Sequence, residues 1–403
     1  MSWPIVKLGD VCDLQNGYAF KSSDYVEESN TLSCRMSNIR PGGVFNIDYN
    51  SRFLPDEFAE KYKQFLLKDG DVIIAMTDLA DSPKILGVPT VVKTTGRNIL
   101  LNQRVGKLVI RDTSIIHFPY LKLALNYPRV RDIYKKYAGG GLQINLGKSD
   151  LLSVEIPLPP LAEQKRIATI LDKADAIRRK RKQAIKLADD YLRSVFLDMF
   201  GDPVTNPKGW EVQSLSSLCK KITDGTHHSP PITECGVPYV TAKHLKKTGL
   251  EFHKNPWYIS EESHQAIYSR CNPELNDVLY IKDGATTGLA AINDYDFEFS
   301  MLSSLALLKP DYDKITSEFL CMFLNHPRTK LVLTANMAGA AITRLTLAKI
   351  KDVKVPLPDL ATQKKFSETY ISVRNFLEKV ASSSDLANQE FNSLSQKAFA
   401  GEL

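Results

Sequence analysis

Twelve residues near the middle of this 403-residue chain return near its end. Val154-Glu-Ile-Pro-Leu-Pro-Pro-Leu-Ala-Glu-Gln-Lys165 and Val353-Lys-Val-Pro-Leu-Pro-Asp-Leu-Ala-Thr-Gln-Lys364 agree at 8 of 12 positions, at an offset of 199 residues. The same offset aligns Asn126, Pro128 and Arg129 with Asn325, Pro327 and Arg328, and Leu146 with Leu345. Near the start of each copy, Trp3-x4-Leu8-x3-Cys12 recurs as Trp210-x4-Leu215-x3-Cys219, and Asp71-Val72-Ile73 as Asp277-Val278-Leu279, at offsets near 207. A period this long describes two copies of a whole domain of about 200 residues separated by small indels. Between the anchors the copies diverge, so a shared frame carries two different interiors.

Each copy opens with short β-type runs (Val72 to Ala75, Val105 to Ile110, Val278 to Ile281, Ser304 to Leu308) among Gly, Pro, Asn and Asp clusters, and continues into helical stretches near Tyr120 to Tyr137 and Glu318 to Ala335. The Pro-Leu-Pro segment then fixes an extended entry into a long helix. In the second copy Phe366, Tyr370, Val373, Leu377, Val380, Ser384, Ala387, Phe391, Leu394 and Ala398 alternate by four and three, the seam of a coiled coil. In the first, Ile167, Leu171, Ala174, Arg178, Arg181, Ile185, Ala188, Leu192, Val195 and Met199 hold the same register. A neighbouring stripe of Ile170, Ala174, Ile177, Ala184, Ala188, Tyr191 and Val195 extends the apolar surface, so a broad buried face is expected. Connectivity lets the two helices bury both seams only if they run antiparallel. The predicted fold class is α+β: two α/β domains (1–160 and 203–359) separated by two long antiparallel coiled-coil helices (161–202 and 360–403), with a pseudo-twofold internal repeat.

Charge is local. Residues 164 to 186 hold nine basic and two acidic side chains, +7 on a chain whose total is +6. The block around Arg178-Arg179-Lys180-Arg181-Lys182 points to a polyanion or an acidic partner surface, against the plainer reading of a solvated helix face. Six scattered cysteines without a C-x-x-C pair argue against a zinc ribbon or disulfide framework and read as buried or incidental thiols. No apolar run is long enough to span a membrane, and the N-terminus shows no secretory leader, which makes the cytoplasm the expected compartment.

A catalytic site does not emerge. Gly141 to Ser149 imitates a phosphate loop but has five residues between its glycines where four are needed. His227 and His228 with Cys235 read better as a polar loop than as metal ligands, and Asp78, Asp81 and Asp283 offer no pairing that the sequence singles out.

The doubled Pro-Leu-Pro segment with its Gln-Lys helix, the Trp-x4-Leu starts, Asp224-Gly225-Thr226-His227 and the closing Lys397-Ala-Phe-Ala-Gly-Glu-Leu403 together resemble the DNA-specificity (S) subunit of type I restriction-modification systems, across essentially the whole chain. The resemblance implies a non-catalytic chain that is needed for both methylation and restriction. Each variable domain would be a target recognition domain reading one half of a bipartite sequence in double-stranded DNA. The helices would set the spacing and dock two modification (methyltransferase) subunits, with restriction/translocase subunits joining the full complex. No cofactor is expected on this chain; S-adenosylmethionine and ATP would sit on those partners. A DNA-modifying enzyme and a protein-only coiled-coil adaptor stand beside it as other classes, and salt-dependent DNA retention separates the adaptor.

Base edges are read by Arg, Lys, Asn, Gln, Ser and Thr on elements that reach the groove. The expected DNA-binding residues in the first domain are Lys21, Ser22, Arg35, Asn38, Arg40, Thr77, Lys84, Gln143 and Asn145. In the second they are Thr226, His227, His228, Lys243, His244, Lys282, Thr286 and Thr287. Arg179 and Lys182 on the first long helix are expected to act through charge.

Overall fold

The computed structural model describes residues 3–80, 83–136, 142–247, 249–335 and 344–403. It divides into two compact units. Unit 1 is Met1–Arg179 together with Leu386–Leu403, and unit 2 is Lys180–Asp385.

In unit 1 a four-stranded antiparallel sheet has the order Cys12–Asn16, Val105–Ile110, Val72–Ala75, Pro89–Val91. Beside it lies a three-stranded sheet, Asn98–Leu101 parallel to Thr31–Cys34, with Phe53–Leu54 antiparallel at the edge. Val72 and Ile74 point into a core shared with helices, while Ile73 and Ala75 point into a core shared with the three-stranded sheet. A strand covered on both faces needs no polar alternation, which is why Val-Ile-Ile-Ala is apolar throughout. Unit 2 repeats this plan: Cys219–Asp224, Leu305–Pro310, Val278–Ile281, Ala290–Ile292 in one sheet, and Tyr258–Ile259, Val237–Val240, Ser300–Met301 in the other. Val278 and Tyr280 face one core, Leu279 and Ile281 the second.

The helical stretches read as single segments are each broken in two. Phe118–Asn126 is followed by Pro128–Lys135, and Ser317–Asn325 by Pro327–Thr334. Proline disfavours the helical conformation in the residue before it, and both Tyr127 (φ −63°, ψ 133°) and His326 (φ −64°, ψ 131°) are extended. Asp81, Tyr137 and Gly141 lie outside the described residues.

The repeated motif ties each long helix to its own unit. The strand before each long helix pairs antiparallel with the first strand of its unit, Glu155–Pro157 with Ile5–Lys7 and Lys354–Leu357 with Glu211–Ser214. One turn into the helix, Gln164 and Gln363 are fully buried. Gln164 accepts from the His117 N–H (2.7 Å) and donates to the carbonyls of Ile115 and Pro159 (both 2.8 Å). Gln363 accepts from Thr316 N–H (3.0 Å) and donates to Lys314 (3.1 Å) and Pro358 (2.8 Å). Glutamine supplies a donor and an acceptor on one uncharged tip, which stitches helix, proline segment and preceding loop together. The repeated tryptophan closes a helix end: Trp3 Nε1 donates to the Ala398 carbonyl (2.8 Å) and Trp210 Nε1 to the Phe200 carbonyl (2.9 Å), partnering acceptors of a last turn.

The first long helix is Leu161–Phe200 and the second Leu360–Ala400. Within unit 1 they run in opposite directions, since Ile167 shares a core with Ala398 while Arg178 lies under Phe391. Within unit 2 Arg181 meets the Ser383 carbonyl, and Phe196 packs on Phe366. Every seam position of both helices is buried or half-buried. The neighbouring stripe is not covered as expected: Ile177 and Tyr191 are half exposed, because a single antiparallel partner shields only the seam that faces it.

Candidate nucleic-acid interface

The strand directions gather most of the sequence-derived candidates at one end of each unit. In unit 1, Asn16, Ala75 and Val105 mark one end of the four-stranded sheet, and Asn102 N–H donates to Cys34 O (3.1 Å), which brings the end of the other sheet to the same place. The loops leaving this end carry Lys21, Ser22, Arg35, Thr77 and, on the Gln143–Asn145 strand paired with Thr77–Leu79, Gln143 and Asn145. In unit 2, Asp224, Ile281, Val240 and Met301 end together, and their loops carry Thr226, His227, His228, Lys243, His244, Lys282, Thr286 and Thr287. At the opposite end of each sheet Arg111 N–H donates to Val11 O and Asp311 N–H to Leu218 O.

Several candidates turn inward. Asn38 is buried, accepts from Arg35 N–H (2.8 Å) and donates to the carbonyls of Asn46, Ile47 and Tyr49. His244 is its counterpart in the repeat: Nδ1 accepts from Thr241 N–H (3.0 Å), so Nε2 donates to Asn255 O (3.0 Å), and burial holds its pKa below the ordinary value. Each closes a short 3-10 turn and leaves no group for a base. Thr77 and Thr287 are buried, Thr77 donating to Asn145 Oδ1 (2.8 Å) and Thr287 to Gly284 O (2.7 Å). Lys282 is buried with its ammonium 3.4 Å from Asp224 and 3.3 Å from Asp283. These five side chains are buried and engaged by groups of the protein itself.

Lys21, Ser22, Lys84, Asn145, His227, His228 and Thr286 are exposed; Arg35, Gln143 and Thr226 are half-buried. Asp78 accepts from Leu79, Ile85 and Leu86 N–H and so pins the segment that presents Lys84. Arg40 stacks over Tyr49 at 3.6 Å and Lys243 over Trp257 at 2.9 Å, placing a cation against an aromatic ring near the turn in each unit. Arg179 and Lys182 are exposed on the first long helix and do not join these loop ends. Sequence reasoning passed over Gln103 and Arg104, exposed between the converging strands, and over Arg270 and Arg344, whose guanidinium groups pair with Asp224 and Asp283 (3.3 Å each). Arg344 was within reach of the 199-residue offset, since it is the counterpart of Asn145.

Lys148 of the false phosphate loop is paired with Asp13 at 2.8 Å. Burial pushes the Cys34, Cys219 and Cys271 thiols up to about 12, away from nucleophilic use. Among the described residues no group of three metal-capable side chains occurs, and no helix is long and apolar enough to cross a membrane.

Residues 2–187 and 207–381 match the family model of the type I restriction modification DNA specificity domain. The chain belongs to this family. Among relatives, the specificity subunit of the type I restriction enzyme MjaVIII from Methanocaldococcus jannaschii is 32% identical over 204 residues, 48% of this chain and 45% of that protein. The specificity subunit of the type I restriction enzyme EcoBI from Escherichia coli is 23% identical over 100% of this chain and 86% of its own length. The chain thus spans about half of the first relative and most of the second. The crystal structure of the type I restriction-modification S subunit from M. genitalium is similar in fold, with a TM-score of 0.63 at 16% identity, covering 99% of this chain and 96% of that one. Two matches of one specificity-domain model, one per repeat, agree with two copies of one architecture.

Proposed function

We propose that this specificity-domain chain is the sequence-reading subunit of a type I restriction-modification complex, in which the loop end of each unit reads one half of a bipartite target in double-stranded DNA. The observation that carries the reading is the pairing of a repeated frame (Gln164 and Gln363, Trp3 and Trp210) with loop ends of different chemistry. The frame is constant because it serves a constant assembly, and the ends differ because the half-sites differ. The long helices set the distance between half-sites and dock two modification subunits, which carry S-adenosylmethionine; restriction/translocase subunits bring ATP. This chain contributes no catalytic group and works in the cytoplasm beside the DNA it reads.

The test is modular. Replacing residues 1–155 by the matching domain of a relative, in a complex with the modification subunits, changes one half of the methylated sequence and leaves the other intact. A change in both halves overturns the two-reader assignment.

A further inference from the structure

We propose that Arg344 reads a guanine in the half-site taken by unit 2, and that Asp283 is the positioning residue that holds it in the reading pose. The inference rests on the loop end of the unit being its DNA-facing surface.

Arg344 Nε lies 3.3 Å from Asp283 Oδ1 in an ion-pair contact without hydrogen-bond geometry, its side chain is 59% exposed, and its guanidinium makes no hydrogen bond among the described residues. Its main chain is seated as well: it forms an antiparallel bridge with Asp283, and the next residue, Leu345, donates its N–H to Lys282 O at 2.8 Å. Asp283 is fixed from behind by the buried ammonium of Lys282, which also reaches Asp224; Asp224 is in turn 3.3 Å from Arg270. The result is an alternating row, Arg270, Asp224, Lys282, Asp283, Arg344, with its middle buried and its ends at the surface. The two arginines differ. Arg270 uses both Nη groups internally, on Asp224 and on the Gly225 carbonyl. Arg344 approaches Asp283 most closely at Nε and spends no guanidinium hydrogen bond within the described residues, so its two coplanar Nη groups remain available to a ligand. That end-on pair fits the O6 and N7 acceptors of guanine in the major groove, and a side chain already held in place loses less freedom on binding.

A guanidinium also suits phosphate. The repeat decides between them. In unit 1 the same seat is occupied by Asn145, whose neighbour Leu146 donates to Met76 O at 2.8 Å, and the counterpart of Asp283 is Thr77, which donates to Asn145 Oδ1 at 2.8 Å. Holder and held residue have changed together, from carboxylate and guanidinium to hydroxyl and amide. Every phosphate is alike, so a phosphate seat has no reason to exchange a cation for a neutral amide; a seat that reads different bases in two half-sites does.

The experiment uses the full chain assembled with its modification subunits and a DNA pool randomised over both half-sites, with Arg344→Asn, Asp283→Asn and the double variant. Arg344→Asn, which installs the residue the repeat already tolerates there, is expected to lower discrimination at one G·C pair of one half-site by roughly 5- to 150-fold. The other half-site and the salt slope of binding stay as they were. Asp283→Asn weakens discrimination at that same pair and adds nothing in the Arg344→Asn background, a non-additivity that general loosening of the fold does not produce. Unchanged discrimination, or uniform weakening on all sequences with a salt slope flattened by about 0.9, overturns the inference while the two-reader function stands. Absence of sequence preference in the parent complex would instead bring down the function on which it rests.

Discussion

Gln363 and His244 are single residues whose burial turns into measurable stability. Gln363→Leu removes a tip that partners one N–H and two carbonyls in the interior. With each orphaned buried group costing about 1–3 kcal/mol, the loss expected is about 3 kcal/mol or more. The neighbouring exposed Lys364→Ala stays within about 0.5 kcal/mol. Urea unfolding of the two variants checks the contrast. His244 is held neutral by burial, with its pKa depressed from 6.5. Above about pH 6.5 it is neutral folded and unfolded alike. As the pH falls below that value the unfolded chain takes up a proton that the folded chain refuses, so stability drains away until the lower folded pKa is passed. Burial shifts His326 in the same unit in the same sense, and His117 in unit 1. His244→Asn, copying Asn38, should cost about 1 kcal/mol at pH 7.5 through the lost Asn255 bond but soften the decline between pH 6.5 and 5. Denaturant unfolding across that range gives the slope, and an unchanged slope would show that His244 does not drive it.

At the scale of elements, the long helix separates charges by where the seam points. Arg178 lies 4.4 Å from the Phe391 ring and Arg181 donates to Ser383 O, so both are packing residues; Arg179 and Lys182 face solvent. Changing Arg179 and Lys182 together to alanine should weaken binding of specific and nonspecific DNA alike, flattening the salt slope by about 0.9 for each phosphate that is no longer neutralised. Selective loss of the specific target alone would contradict this. The seam was legible in the sequence because a 4,3 alternation encodes one-sided contact, and the Val72–Ala75 run because a doubly covered strand shows no polar positions. The breaks before Pro128 and Pro327 were missed because each helix resumes at once, keeping its apolar spacing. The loop residues were legible in place but not in direction. Asn38, His244 and Lys282 have the composition of readers, yet backbone N–H groups or buried carboxylates claim their polar atoms, and a residue type carries no record of which way it turns. Arg344 was hidden by the divergence around it, although the offset from Asn145 marks its position.

For the molecule as a whole, the proposed function gives spacing to the helices and sequence to the loop ends. One heptad inserted after Ala188 adds roughly 10 Å to the first helix while keeping its seam in register. Methylated-sequence mapping of such a complex should return the same two half-sites with a spacer longer by a few base pairs, or no methylation if the partner subunits reject the change. Altered half-sites with an unchanged spacer would remove the helices from the role of ruler. Unit 1 also contains residues 386–403, with Ala398 in its core and its carbonyl taken by Trp3. On a ribosome moving at about 5–20 residues per second, that segment emerges roughly 10–40 s after Arg179. The portion of the chain synthesised first is therefore the portion whose core is sealed last, and the apolar groups around Ile167 wait, open to proteases and to neighbouring nascent chains, for a strip of helix that has not yet been translated.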